Sequence, residues 1–205
     1  GALCRARGVV FHTDAVQVFG KLPFTGIGQF HADLVSICAH KFHGPKGVGF
    51  LYVRKDKKIH PFIHGGAQER NMRGGTENVI GIIGLAKALE ISLEELAAHR
   101  SHIEKLKGYF IEKLGQEISG IAFNGCSADL QKSLYTVLSV SLPPSEANRG
   151  MLLFHLDLEG ISASGGSACS SGASVGSHVM RALQHPADRD VVRFSFSRFT
   201  TMEEI

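Results

Sequence analysis

The sequence contains no apolar run approaching the roughly 18 residues that a membrane-spanning helix requires, so neither a transmembrane segment nor a membrane partner is expected. It also lacks any cluster of positive charge. Its 22 lysines and arginines are spread along the chain, and a nucleic-acid partner is therefore not expected. Cysteine is sparse: Cys4, Cys38, Cys126 and Cys169 stand far apart, without a CxxC or other metal-ligand spacing. That pattern argues against a disulfide framework and a metal site, and fits a reduced, cytoplasmic setting. The opening residues show no signal-peptide pattern, and no segment repeats.

What is present reads as an ordinary globular protein, 43% hydrophobic and 20% charged, with 24 glycines and a net charge of +3. At 205 residues it holds one large domain or two small ones. Gly1 to Gly8 has the pattern of the last turns of a helix, with Arg5 and Arg7 near the negative end of its dipole and Gly8 just past it. Thr200 and Glu203 are spaced as a capping box, yet the chain stops one turn later at Ile205. A chain cut at both ends is the expectation; two frayed termini are the alternative.

Short buried-strand signals occur at Val9-Val10-Phe11, leading to Asp14, at residues 33–38, leading to His40-Lys41, and at residues 48–53. From Val79 to about Leu114 apolar residues recur at three or four, which predicts two or three helices in series. Strands are then predicted at 121–123, 134–142, 160–164 and 191–197, with helices at 146–158 and 177–185. The pattern is α/β, with a smaller α+β domain following from about residue 95.

Asp14 and Gln17 follow the first strand, and His40 and Lys41 follow the second. Such residues beyond strand ends suit a ligand site in an α/β sheet. Pyridoxal phosphate asks for this set: an amine to form an imine with its aldehyde, a carboxylate to keep its ring nitrogen protonated, and a donor for its phenolic oxygen. Lys41, Asp14 and Gln17 supply those groups. Alone, they also fit a turn cap and a solvated lysine.

The segment Ser36-Ile37-Cys38-Ala39-His40-Lys41-Phe42-His43-Gly44-Pro45-Lys46-Gly47-Val48-Gly49-Phe50 closely resembles the cofactor-lysine segment of the cysteine desulfurases, members of the class V aminotransferase superfamily. The resemblance assigns the cofactor lysine to Lys41 rather than Lys46, with His40 beside it. It places Cys38 where the family usually has a serine that binds the cofactor phosphate. A thiol is a weaker donor than a hydroxyl.

Two further segments extend the resemblance. Gly65-Gly66-Ala67-Gln68-Glu69-Arg70-Asn71-Met72-Arg73-Gly74-Gly75-Thr76 reads bottom-up as either an anion cradle or a generic glycine loop. It is similar to the family segment whose threonine reaches the cofactor phosphate of a neighbouring subunit, which implies that role for Thr76 and a homodimer. Ser164-Gly165-Gly166-Ser167-Ala168-Cys169-Ser170-Ser171-Gly172 offers one thiol among residues too small to bury it. It resembles the mobile active-site loop in which the family's cysteine takes up sulfur as a persulfide. Near the end, Arg193 stands where a strand arginine would grip a substrate carboxylate.

The resemblance implies the C-terminal half of a cysteine desulfurase. Residues 1–94 would be the end of a cofactor-binding large domain with a mostly parallel sheet, and 95–205 a truncated small domain. The implied reaction converts L-cysteine to L-alanine with a persulfide on Cys169, for transfer to an acceptor such as an iron–sulfur scaffold. A selenocysteine lyase, another class V enzyme and a non-catalytic fragment remain alternatives.

Overall fold

The computed structural model describes residues 1–146, 150–165 and 177–205. The chain divides into two compact units, Gly1–Ala97 and Ala98–Ile205, so the division falls at 97/98 where the sequence suggested 94/95.

In the first unit, helix α1 (Ala2–Ala6) ends at Gly8, which takes a φ of +65°. Strands β1 (His12–Asp14), β2 (Leu34–Cys38) and β3 (Gly49–Val53) form a sheet in that order. β1 and β2 are parallel, with Asp14 opposite Ser36; β2 and β3 are antiparallel, with Cys38 opposite Gly49. The sheet of this unit is thus mixed, with one parallel and one antiparallel pair. Val35 and Ile37 of β2 are buried and pack with Phe19, Ala39, Phe42 and Leu85. Period-two alternation sends Ser36 and Cys38 to the opposite face.

β1 begins later than the sequence suggested. Val9 and Val10 are more than half exposed and lie outside the strand. The buried carboxylate of Asp33 sets the start of pairing. Its Oδ2 accepts the Phe11 N–H at 2.8 Å, and its Oδ1 pairs with Arg54 Nη1 at 2.8 Å. Its backbone donates to the Phe11 carbonyl and accepts from the Arg54 N–H. One residue therefore ties the entry of β1 to the exit of β3.

A one-turn element, α2 (Gln68–Asn71), precedes helix α3 (Val79–Glu94), which starts where the Asn78 side chain accepts the Gly81 N–H at 3.0 Å. Helix α4 (Leu96–Glu117) follows almost directly. No helix among the described residues is long and apolar enough to cross a membrane.

In the second unit, strands β4 (Ala122–Phe123), β5 (Val137–Leu142) and β6 (Asp190–Ser195) form an antiparallel sheet. Leu138 and Val140 pack with Ile103 and Leu106 of α4. Helices α5 (Leu152–Leu158) and α6 (His178–Ala182) lie between β5 and β6 in the chain. The predicted strand at 160–164 reduces to a single bridge, Ser164 to Arg193. The predicted capping box does not form: Thr200 Oγ1 accepts the Ser197 N–H behind it, and Glu204 rather than Glu203 accepts the Thr201 N–H.

Two polar anchors hold this unit. Arg189 donates to the Ser141 hydroxyl and carbonyl and to the Gly120 carbonyl. The Ser141 hydroxyl also lies 2.8 Å from His185 Nε2. Lys107 is buried on α4, with its amine donating to Ser133 Oγ at 2.8 Å and the Leu134 carbonyl at 3.2 Å. Burial pushes its pKa below the ordinary lysine value.

Two stability measurements check these anchors. Replacing Asp33 by alanine strands the Phe11 N–H and leaves Arg54 with Asp56 as its remaining carboxylate partner, and should cost about 1–3 kcal/mol in chemical denaturation. For Lys107 the unfolded chain holds its proton to higher pH than the folded one. Stability should therefore rise from the folded pKa up to the unfolded value of 10.5. Urea denaturation at neutral pH and at pH ~10 should show the native chain gaining stability relative to Lys107→Met.

Candidate active site

Because β1 and β2 run parallel, their C-terminal ends emerge at one edge of the sheet. Asp14 ends β1, and its Oδ1 accepts the Val16 N–H at 2.8 Å, which fixes the carboxylate at the strand end. Residues 15–22 continue as overlapping turns, with the Phe19 and Leu22 N–H groups bonded to the Ala15 and Val18 carbonyls. That winding places Gln17 and Lys21 on one side, and Lys21 Nζ donates to Gln17 Oε1 at 3.0 Å. On the adjoining sheet face His12 Nε2 lies 2.8 Å from Ser36 Oγ.

Beyond β2, Ala39–Phe42 forms a 3-10 turn that carries His40, exposed, and Lys41, half-buried. The Ala39 N–H bonds to the Val48 carbonyl, and Gly44 N–H to the Ala39 carbonyl, so both arms of the turn are pinned. Cys38 Sγ lies 2.7 Å from His40 Nδ1 and 3.8 Å from the Val48 carbonyl. The thiol that stands at the expected phosphate position is thus engaged with the histidine beside Lys41.

The two strand ends meet through Gly20. It has a φ of +72°, and a Cβ there would lie 2.8 Å from Phe42 Cβ and 3.3 Å from Ser92 Cβ. A glycine backbone therefore seats the Asp14–Lys21 segment against the residue that follows Lys41. Ser92 of α3 donates to the Phe42 carbonyl at 3.4 Å from the other side. The consequence is electrostatic as well: burial, and then the charge of Lys41, push the Lys21 pKa down to about 8.

The glycine-rich loop closes on itself. Gly74 N–H bonds to the Ile63 carbonyl, and a Cβ on Gly74 would lie 2.7 Å from the Gly65 Cα, so the two backbones touch where neither has a side chain. At its tip Glu69, Arg70 and Asn71 take φ values of 47°, 58° and 66°, three left-handed residues in succession. Gln68 Oε1 accepts the Gly75 N–H at 3.2 Å, immediately before the exposed Thr76.

The structure thus gathers Asp14, Gln17, Cys38, His40 and Lys41 around one sheet edge. Thr76 sits on a different loop of the same unit. Arg193 belongs to the second unit, on the face of β6 opposite Val192, with its backbone bonded in both directions to Ser164. Cys169 lies outside the described residues. Lys21 is the residue the sequence reading passed over, although its four-residue spacing from Gln17 was visible. No group of three or more His, Cys, Asp or Glu residues with metal-holding geometry occurs among the described residues.

Comparison with known proteins gives a consistent result. The aminotransferase class-V family matches residues 1–205. The chain is 44% identical over 199 residues to a protein named cysteine desulfurase IscS from Dictyoglomus turgidum, covering 96% of this chain and 49% of that protein. It is 43% identical to a cysteine desulfurase of Bradyrhizobium diazoefficiens, covering 98% of this chain and 50% of the relative. Among solved structures, a NifS-like protein superposes with a TM-score of 0.80 at 39% identity, over 97% of this chain and 50% of that one. A structure of SspA in complex with cysteine gives a TM-score of 0.72 at 28% identity, over 98% and 54%. The chain spans about half the length of the curated relatives it matches. With the whole of its length matched and the α/β fold shared, the chain belongs to the aminotransferase class-V family.

Proposed function

We propose that this chain is the C-terminal half of a pyridoxal-phosphate-dependent cysteine desulfurase, with Lys41 as the cofactor lysine. The observation that carries the reading is the shared edge of the parallel β1–β2 pair, where Asp14 ends β1 and Lys41 follows β2 in the 3-10 turn. Relatives named cysteine desulfurase support the reaction, and the cysteine-bound SspA structure supports the substrate.

The donor set fits the cofactor. Asp14 would hold the proton on the ring nitrogen, Gln17 would donate to the phenolic oxygen, and Lys41 would bind the aldehyde carbon. Cys38 and Thr76 would contact the phosphate, Thr76 from the neighbouring subunit of a homodimer. The bound cofactor supplies an electron sink for bond breaking next to the substrate amine.

The protein's own groups do the rest. Arg193 would grip the carboxylate of L-cysteine. Lys41 Nζ would take the proton from the substrate Cα, with His40 assisting proton movement. The thiolate of Cys169 would attack the substrate sulfur. The substrate C–S bond breaks, an S–S bond forms on Cys169, and the departing carbon is protonated, so that L-alanine leaves. The persulfide then passes to an acceptor thiol, such as one on an iron–sulfur scaffold, in the cytoplasm.

Two substitutions in the full-length enzyme test this. Lys41→Ala should abolish the visible absorption of the bound cofactor, and Cys169→Ala should lower sulfide release from L-cysteine about 100-fold or more. A Cys169→Ala enzyme that released sulfur at the native rate would overturn the mechanism. The isolated 205-residue chain should show no turnover.

A further inference from the structure

Asp14 can serve the cofactor only if it stays in step with the strand that delivers Lys41, and one residue couples the two. Ser36 stands opposite Asp14 in the parallel pair. Its carbonyl accepts the Ala15 N–H at 3.0 Å, and its hydroxyl lies 2.8 Å from His12 Nε2. The chain is thus held on Ser36 both before and after Asp14. Alternation sets His12, Asp14 and Ser36 on one face of the sheet, while Val35 is buried on the other. The His12–Ser36 contact therefore lies off the hydrophobic core and serves no packing there. β1 is only three residues long, and β2 is its sole partner among the described residues. So short a ladder gains much from each further tie to its neighbour.

We propose that His12 and Ser36 are positioning residues for Asp14: their contact, with the Ala15–Ser36 backbone bond, fixes where the Asp14 carboxylate stands relative to Lys41. The inference rests on Asp14 as the partner of the ring nitrogen and Lys41 as the cofactor lysine. Those two groups would address different atoms of one rigid ring, so neither can shift alone without losing its contact. Ser36 precedes Lys41 by five residues along β2 and the 3-10 turn, and that turn is pinned at both arms. A tie from β1 to Ser36 therefore sets Asp14 against the element that carries Lys41. Within that frame the Val16 N–H, donating to Asp14 Oδ1, orients the carboxylate.

The test uses the full-length enzyme and has two arms. In the first, hydrogen exchange of the cofactor-free enzyme is read residue by residue with fragmentation mass spectrometry. Ser36→Ala and His12→Phe should each speed exchange at the Ala15 and Val16 amides about tenfold, and the double variant no more than either alone. The Phe11 amide, tied separately to Asp33, should keep its native rate. Native exchange at Ala15 and Val16, or equal acceleration at Phe11, overturns the proposal. In the second, the visible absorption of the holoenzyme is compared with that of Asp14→Asn, which marks loss of the ring-nitrogen partner. Ser36→Ala should move toward the Asp14→Asn spectrum with the cofactor still bonded to Lys41 on borohydride reduction, and Ser36→Thr should keep the native spectrum. A folded Ser36→Ala holoenzyme with the native spectrum overturns the proposal, since a merely structural serine would change the melting temperature alone. Absence of cofactor absorption in the unaltered enzyme would instead refute the functional reading, and the first arm would still decide what holds Asp14.

Discussion

The alternation of side chains along β2 is the constraint from which the candidate site follows. Val35 and Ile37 bury on one face, each contributing about 1.5–3 kcal/mol of apolar burial. Ser36 and Cys38 must then face the other way. A slip of one residue would send the polar pair into the core. Asp33 guards against that slip, because its carboxylate is bonded to Phe11 on one neighbouring segment and paired with Arg54 on the other. With the register held, the chain leaves β2 at Cys38, and Lys41 emerges at the edge where Asp14 also ends its strand.

What the strand ends offer becomes a site only because the following turns pack closely. Gly20 has no side chain where Phe42 needs the space, and Ser92 holds the Phe42 carbonyl from the helix behind. Lys21 lies in the turn seated this way, and burial first, then the charge of Lys41, lowers its pKa. The same economy of volume recurs in the glycine-rich loop, where Gly65 and Gly74 touch backbone to backbone.

Much of this was legible in the sequence because it rests on periodicity and on long, specific strings. The spacing of apolar residues from Val79 onward anticipated α3 and α4, and the strand signals at 33–38 and 48–53 anticipated β2 and β3 on either side of His40 and Lys41. Val9 and Val10 misled because apolar character alone does not make a strand; pairing does, and the Asp33 carboxylate engages the chain only from Phe11. Residues 160–164 likewise lack a partner beyond the Ser164 bridge. The left-handed tip at Glu69, Arg70 and Asn71 carries no glycine to announce it. Lys21 was missed because its significance is tertiary: nothing in the local sequence says that Phe42 will lie under Gly20.

The central claim is that Lys41, and neither Lys21 nor Lys46, bonds to the cofactor. Borohydride reduction of the full-length enzyme with pyridoxal phosphate, followed by peptide mass mapping, tests it directly. The account predicts the phosphopyridoxyl mass on the peptide containing Lys41, at that residue. The mass on Lys21 or Lys46, or on no lysine of this chain, would contradict it.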